Sequence, residues 1–251
     1  MIVALPARAK LNLDLSVLRR LTDGMHEVRT HVQAIDLHDL LEVQRATKTE
    51  LTVIGFEIGK TGDNSVLKAQ AALEVAAGRA LPAAFMLHKR IPPGSGLGGA
   101  SSDAAAALRA LAALYNLEPD LHPIARQVGA DVTFFLNGGG ALVEGVGERV
   151  TLIPSEAAWY AIAWPGLELS TAGVYRAWDE VKGEGPNDLR RAAARVEPKL
   201  EEFAGSLGPD WQMTGSGSAF FCRCPDRDSA MRAIDKLACW TTVSSAVGDW
   251  R

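Results

Sequence analysis

PPGSGLGGASSDAAAALRALAAL, residues 92–114, runs a glycine-rich loop directly into an alanine-rich helix. Pro92 and Pro93 stop the preceding strand, because proline lacks the N–H that a sheet ladder needs. Gly94, Gly96, Gly98 and Gly99 let the backbone turn through positive φ, and Ser101, Ser102 and Asp103 offer groups to cap the helix. The helix N-terminus presents unpaired N–H groups and the positive end of its dipole to the loop. That combination seats a phosphate, so a nucleotide is the first ligand to consider.

The chain around this stretch has 251 residues, 47% hydrophobic and 22% charged, enough for one large or two modest domains with a real core. Its net charge of -4 argues against a protein that binds nucleic acid by neutralising phosphates, which needs a basic face. MIVALPARAK lacks the basic start and apolar run of a signal peptide, and Arg109 interrupts the alanine-rich run. A cytoplasmic protein without a membrane partner is the expectation. Cys222, Cys224 and Cys239 lack the spacing of a metal site and are expected to be structural.

Upstream, Ala7 to Val17 alternates, with Ala9, Leu11, Leu13, Leu15 and Val17 on one face and Lys10, Asn12, Asp14 and Ser16 on the other. Taken alone, that polar face reads as solvated. Asp23-Gly24 marks a turn before a second strand, Val28 to Ile35. Leu41 to Gln44 and Glu50 to Ile58 are strand-like. Asp63 or Asn64 can cap a helix over 66–77 ending near Gly78, and a strand over 85–91 leads into the loop. After the loop helix come a helix over 121–128 ended by Gly129, then Asp131, the apolar 132–136, and a strand pair within 141–150. A domain boundary is expected near residue 154, giving domains 1–154 and 155–251. The second part reads as strand 159–164, helix 171–181, helix 188–203, strand 219–224, helix 229–237 and strand 240–247. Hairpin-like strands mixed with helices favour an α+β fold in both parts.

Three readings of the loop stand on the residues alone. Gly94-x-Gly96-x-x-Gly99 matches a dinucleotide fingerprint, but prolines intervene after the strand and no acidic residue follows at the expected distance. A Walker loop would need Gly-Lys-Ser/Thr, which is absent. A tight helix cap without a ligand is the third.

Further blocks occur in order along the chain: AKLNLDLSV at 9–17 and DGMH at 23–26, KRIPPGSGLGGASSDAA at 89–105, GADVTFFLNGG at 129–139 and VEGVGE at 143–148, STAGVY at 170–175 and NDL at 187–189, and MTGSGSAFF at 213–221. Together they resemble the GHMP small-molecule kinases, and within them the branch that phosphorylates a cytidine diphosphate methylerythritol. The resemblance implies a two-domain α+β architecture with the active site in the interdomain cleft, ATP as phosphoryl donor, and Mg²⁺ entering with ATP rather than in a protein metal site. It implies Asp131 as the catalytic base and Lys10 as its cationic partner, which suits the chemistry. A carboxylate takes the proton of an attacking hydroxyl, and an ammonium offsets charge on the transferring phosphoryl group.

Carried further, the resemblance makes Pro92, Pro93, Gly94, Ser95, Gly96, Leu97, Gly98, Gly99, Ala100, Ser101 and Ser102 the wrapping of the ATP phosphates, with Asn64 and Lys89 near the nucleotide. Without it, Lys89 reads as an exposed strand residue. Asn12, Met25, His26, Thr171 and Tyr175 match substrate-binding positions, His26, Thr171 and Tyr175 at the cytidine end. The face bearing Lys10 and Asn12 thereby becomes a wall of the active site. Met25 departs from the tyrosine common in DGYH, and a thioether lacks both aromatic stacking and a hydroxyl donor. Thr133 replaces the proline usual after GADV. Gly215-Ser216-Gly217-Ser218 resembles the family's C-terminal glycine-rich loop near the active site. Kinases for another small alcohol, of homoserine or mevalonate type, and a non-catalytic nucleotide-binding protein of the same fold remain the alternatives.

Overall fold

A computed structural model describes residues 1–57, 64–155 and 157–250, a mixture of helices and antiparallel and parallel strands. The described chain forms two compact units, interleaved in sequence. Met1–Ala9, His38–Pro93 and Gly98–Asn137 form the first; Lys10–Leu37, Gly94–Leu97 and Gly138–Arg251 form the second. Two long strands serve both in turn. β1 (Ile2–Asn12) passes from the first unit to the second after Ala9, and β3 (His26–Arg45) passes back after Leu37.

In the first unit, β4 (Glu50–Gly55) lies parallel to β5 (Ala83–Lys89), and β5 is antiparallel to the later part of β3, with Leu41 opposite Leu87. A parallel pair needs a crossover, which α1 (Ser65–Ala77) supplies. Asn64 caps α1 by accepting from the N–H of Val66 at 2.8 Å, and Gly78 closes it in the left-handed region. Asp63, the other capping candidate, lies outside the described residues. The loop of interest then enters α2 (Gly99–Tyr115), which packs against α1, α3 (Leu121–Val128) and α4 (Val132–Asn137). Alanine explains its central place: Ala104, Ala105, Ala107 and Ala110 are buried and let neighbours approach closely, while Leu108, Leu111 and Leu114 fill the gaps. Burying each leucine contributes roughly 1.5–3 kcal/mol.

In the second unit, β2 (Ser16–Arg20) and β6 (Gly140–Gly145) are antiparallel to the earlier part of β3, and β6 pairs β7 (Arg149–Ile153). A four-stranded sheet follows, ordered β11-β8-β10-β9, from β8 (Trp159–Trp164), β9 (Trp211–Met213), β10 (Phe220–Cys224) and β11 (Trp240–Ser245). Val174 and Trp178 of α5 (Thr171–Val181), with Leu189 and Leu200, form one of its cores together with Phe220 and Met213.

Two expectations are corrected, and one short strand, β9, escaped the sequence reading. The stretch from Ala7 to Val17 is two strands, because Asp14 turns its carboxylate to the backbone N–H and Nδ1 of His31 and Leu15 pairs instead with residues 186–188. One helix over 188–203 becomes α6 (Arg190–Val196) and α7 (Lys199–Ser206). Pro198 cannot continue the ladder and holds Glu197 extended, at φ -135°. β9 is too short to show a period. After it, α8 (Arg227–Ile234) packs on β8 and β11. Among the described residues no helix is long and apolar enough to cross a membrane.

Candidate active site

Burial overturns the solvated reading of the polar face on β1. Lys10 is 6% exposed and Asn12 5%, although both are polar. Buried polar groups need partners, and these have them. The Lys10 ammonium donates to Oδ1 of Asn12, whose Nδ2 donates to Oγ1 of Thr30 at 2.8 Å. The backbone N–H of Asn12 donates to Oγ1 of Thr214 at 2.8 Å, and that of Lys10 to the carbonyl of Leu97 at 3.0 Å. The strand end carrying Lys10 is therefore bonded to the glycine-rich loop itself.

The loop's residues 94–97 are gripped from a second side by the Thr214–Ala219 turn. Ala219 N–H donates to the carbonyl of Ser95 at 2.9 Å, and Leu169 N–H to that of Gly94 at 3.3 Å. Gly96 sits at φ +80°, and a Cβ there would lie 2.5 Å from the carbonyl oxygen of Thr214. Asn187 holds the turn in place: its Nδ2 donates to the carbonyls of Met213 and Gly215 at 2.8 and 2.9 Å, while its Oδ1 accepts from the N–H of Leu189. The NDL block is thus a brace for the second glycine-rich loop.

At the other end of the second unit, the turn at Asp23-Gly24 forms as expected, Asp23 accepting from the N–H of Met25. It delivers a buried His26 against α5. The imidazole lies 4.9 Å from the ring of Tyr175, tilted by 32°, edge-on to Trp178, and its Nε2 is 2.9 Å from Asp179 Oδ1. Burial works against the Asp179 carboxylate, but its bond to His26 and the charges of His26 and Arg20 hold its pKa below the usual range. Met25, beside this group, is half exposed. Thr171 opens the same helix and its hydroxyl lies 3.0 Å from that of Ser216 in the glycine-rich turn. Tyr175 and Thr171 thus share α5, and His26, at the start of β3, packs against Tyr175.

In the first unit, α2 starts at Gly98, the N-cap residue, and no side chain caps it. This corrects the expectation for Ser101, Ser102 and Asp103. Ser102 N–H bonds to the carbonyl of Gly98, and the remaining first-turn donors are the type that an anion satisfies. Asp103 is occupied elsewhere, with Lys89. That lysine is 6% exposed, not an exposed strand residue, and its ammonium lies between Asp39 and Asp103. Asp131 stands in the turn before α4, half buried, its carbonyl accepting from Phe135 N–H. Thr133 on α4 is buried, and its hydroxyl has no hydrogen-bond partner among the described residues.

Comparison with known proteins follows the same residues. The GHMP kinases N terminal domain family matches residues 64–139, which contain the loop, α2 and Asp131. A 4-diphosphocytidyl-2-C-methyl-D-erythritol kinase of Thermus thermophilus is 38% identical, over 93% of this chain and 92% of its own length. The chain belongs to the GHMP kinase family, in the branch of the 4-diphosphocytidyl-2-C-methyl-D-erythritol kinases. A namesake from Shewanella sp. is 34% identical over 92% of this GHMP kinase and 88% of the relative. The crystal structure of a 4-(cytidine 5'-diphospho)-2C-methyl-D-erythritol kinase superposes with a TM-score of 0.83 at 36% identity, covering 98% of this chain and all of that one. A homoserine kinase from Cytophaga hutchinsonii, at 18% identity and a TM-score of 0.65, shares the fold. Members of this family are ATP-dependent kinases of small molecules, and this chain is one of them.

Thr30, Thr214 and Asp39 escaped the sequence reading. The first two are small hydroxyl residues whose partners lie far away in the chain. Asp39 had one signal, an acidic side chain inside an apolar strand.

Proposed function

We propose that this kinase transfers the γ-phosphoryl group of ATP to the 2-hydroxyl of 4-diphosphocytidyl-2-C-methyl-D-erythritol. The observation that carries the reading is the buried Lys10–Asn12 pair bonded through its backbone to Leu97 of the glycine-rich loop. An ammonium with that little exposure, fixed beside a phosphate-binding loop, is suited to a developing phosphoryl charge. Asp131 takes the proton of the attacking hydroxyl, and Lys10 offsets the charge that passes between nucleophile and leaving group. The loop over 94–102 and the start of α2 hold the phosphates, and Asn64 is near the nucleotide. Among the described residues no three His, Cys, Asp or Glu side chains group to hold a metal ion. Mg²⁺ would arrive with ATP and would supply charge neutralisation at its phosphates.

The tilted ring pair of His26 and Tyr175, with Thr171 on the same helix as Tyr175, receives the cytidine end of the substrate, an aromatic face being the natural seat for a base. Residues up to 154 carry the nucleotide machinery and 155–251 complete the acceptor side. Phosphoryl transfer measured across a panel of alcohols tests the assignment. Turnover with the cytidine diphosphate compound and none with homoserine or mevalonate supports it, and the reverse pattern refutes it.

A further inference from the structure

Three charged side chains that the reaction does not use lie buried beneath the two stems of the glycine-rich loop, all within the first unit. Asp39 on β3 is fully buried, and Lys89 and Asp103 are nearly so. One carboxylate oxygen of Asp39 accepts from the backbone N–H groups of Arg90 and Ile91, the latter at 2.8 Å, and the other accepts from the Lys89 ammonium. Lys89 donates in turn to Oδ2 of Asp103 at 2.7 Å, in the second turn of α2. Asp39 thus holds the entry stem, Asp103 belongs to the exit stem, and Lys89 ties them. The stems touch: a Cβ on Gly99 would lie 3.0 Å from Cγ2 of Ile91 and 3.2 Å from Nζ of Lys89.

From this geometry we infer that Asp39, Lys89 and Asp103 are positioning residues that clamp the two stems of the phosphate loop and so set its grip on ATP. The inference rests on the proposed role of the loop as the ATP phosphate site. It also reassigns Lys89, whose ammonium serves two carboxylates and acts on the nucleotide through the loop. The cluster is costly as a mere core element. It carries two carboxylates for one ammonium, and Oδ1 of Asp103 has no hydrogen-bond partner among the described residues. Apolar packing of the same volume would be as stable or more so, so a cluster of this kind is better suited to fixing one conformation than to adding stability. Burial opposes the Lys89 charge, yet the Asp103 and Asp39 carboxylates outweigh it and raise its pKa, so the ammonium stays charged at neutral pH.

A double-mutant cycle with Asp103→Asn and Lys89→Met, read by steady-state kinetics and by hydrogen exchange of the loop amides, tests this. Asp103→Asn is nearly isosteric and keeps one acceptor, so it is the variant expected to fold, with Asp39→Asn as a second. Positioning predicts that each single variant raises KM for ATP about tenfold while KM for the alcohol stays within about twofold, and that the double variant is no worse than Lys89→Met alone. It also predicts faster exchange confined to residues 90–103. Unchanged KM for ATP in folded Asp103→Asn, or additive losses in the double variant, overturns the clamp, the second outcome restoring direct contact of Lys89 with ATP. Should the wild type fail to turn over ATP at all, the functional reading falls, and the exchange experiment still decides the clamp: unaltered protection at 90–103 in Asp103→Asn refutes it.

Discussion

Replacing Gly96 by alanine should damage the enzyme far more than the same change at Gly166, although both glycines hold nearly the same backbone angle, φ +80° and +77°. An L-residue in that region costs roughly 1–2 kcal/mol at either site. At Gly166 the added methyl meets nothing within 4 Å. At Gly96 it meets the carbonyl oxygen of Thr214 at 2.5 Å and the carbonyl oxygen and nitrogen of Gly217 at 3.0 and 3.1 Å. Those are backbone atoms, held by the Asn187 brace and by Thr214 N–H bonding to Ala219, so no side chain can swing aside. Overpacking of this kind adds roughly 1–3 kcal/mol, giving about 2–5 kcal/mol in all at Gly96 against about 1–2 at Gly166. The alternative is that the loop shifts, and a displacement near 1 Å in a positioning element costs about 10²-fold in rate. Urea denaturation and kcat/KM for ATP, measured on both variants, check the reasoning. Equal stability and equal activity in the two would refute it, because the difference rests wholly on the contact with the Thr214 turn.

Three further outcomes follow from the same geometry. Burial and the Asp39 charge push the Asp103 carboxyl up to about 7 against the pull of Lys89, so the folded protein holds a proton there that the unfolded chain releases near pH 4. Wild-type stability relative to Asp103→Asn should therefore fall as pH rises from about 4 to about 7, by at most about 4 kcal/mol, and level off above; a difference independent of pH in denaturation titrations contradicts that placement. Asn187→Ala strips the donors from the Met213 and Gly215 carbonyls and the acceptor from Leu189, so it should cost about 2–4 kcal/mol and lower kcat, with Asn187→Asp recovering only the Leu189 bond. Met25→Tyr places an aromatic hydroxyl beside the His26–Tyr175 pair and should lower KM for the cytidine substrate several-fold at unchanged KM for ATP, and an unaltered KM removes Met25 from the pocket.

The loop and α2 were legible because glycine, proline and alanine act locally: they punctuate and they permit close packing, whatever surrounds them. The caps at Asn64, Gly78 and Gly129 were legible for the same reason. Lys10 and Asn12 were not, since alternation gives a face and says nothing of what covers it, and Thr214 lies 202 residues from Asn12. Lys89 misled in a similar way. A lysine on a strand reads as solvent-facing until Asp39, fifty residues earlier, is seen to meet it. The family motifs supplied what local physics could not, the roles proposed for Lys10, Asp131 and Tyr175.

The central claim is phosphoryl transfer to one alcohol through one base, and the most direct measurement follows ATP consumption and product phosphorus by ³¹P NMR with 4-diphosphocytidyl-2-C-methyl-D-erythritol, for the wild type and Asp131→Asn. The account predicts one ADP per phosphorylated alcohol, with a rate lower by about 10²–10⁴-fold in folded Asp131→Asn. No phosphorylated product from the wild type, or near-normal turnover by Asp131→Asn, would contradict it.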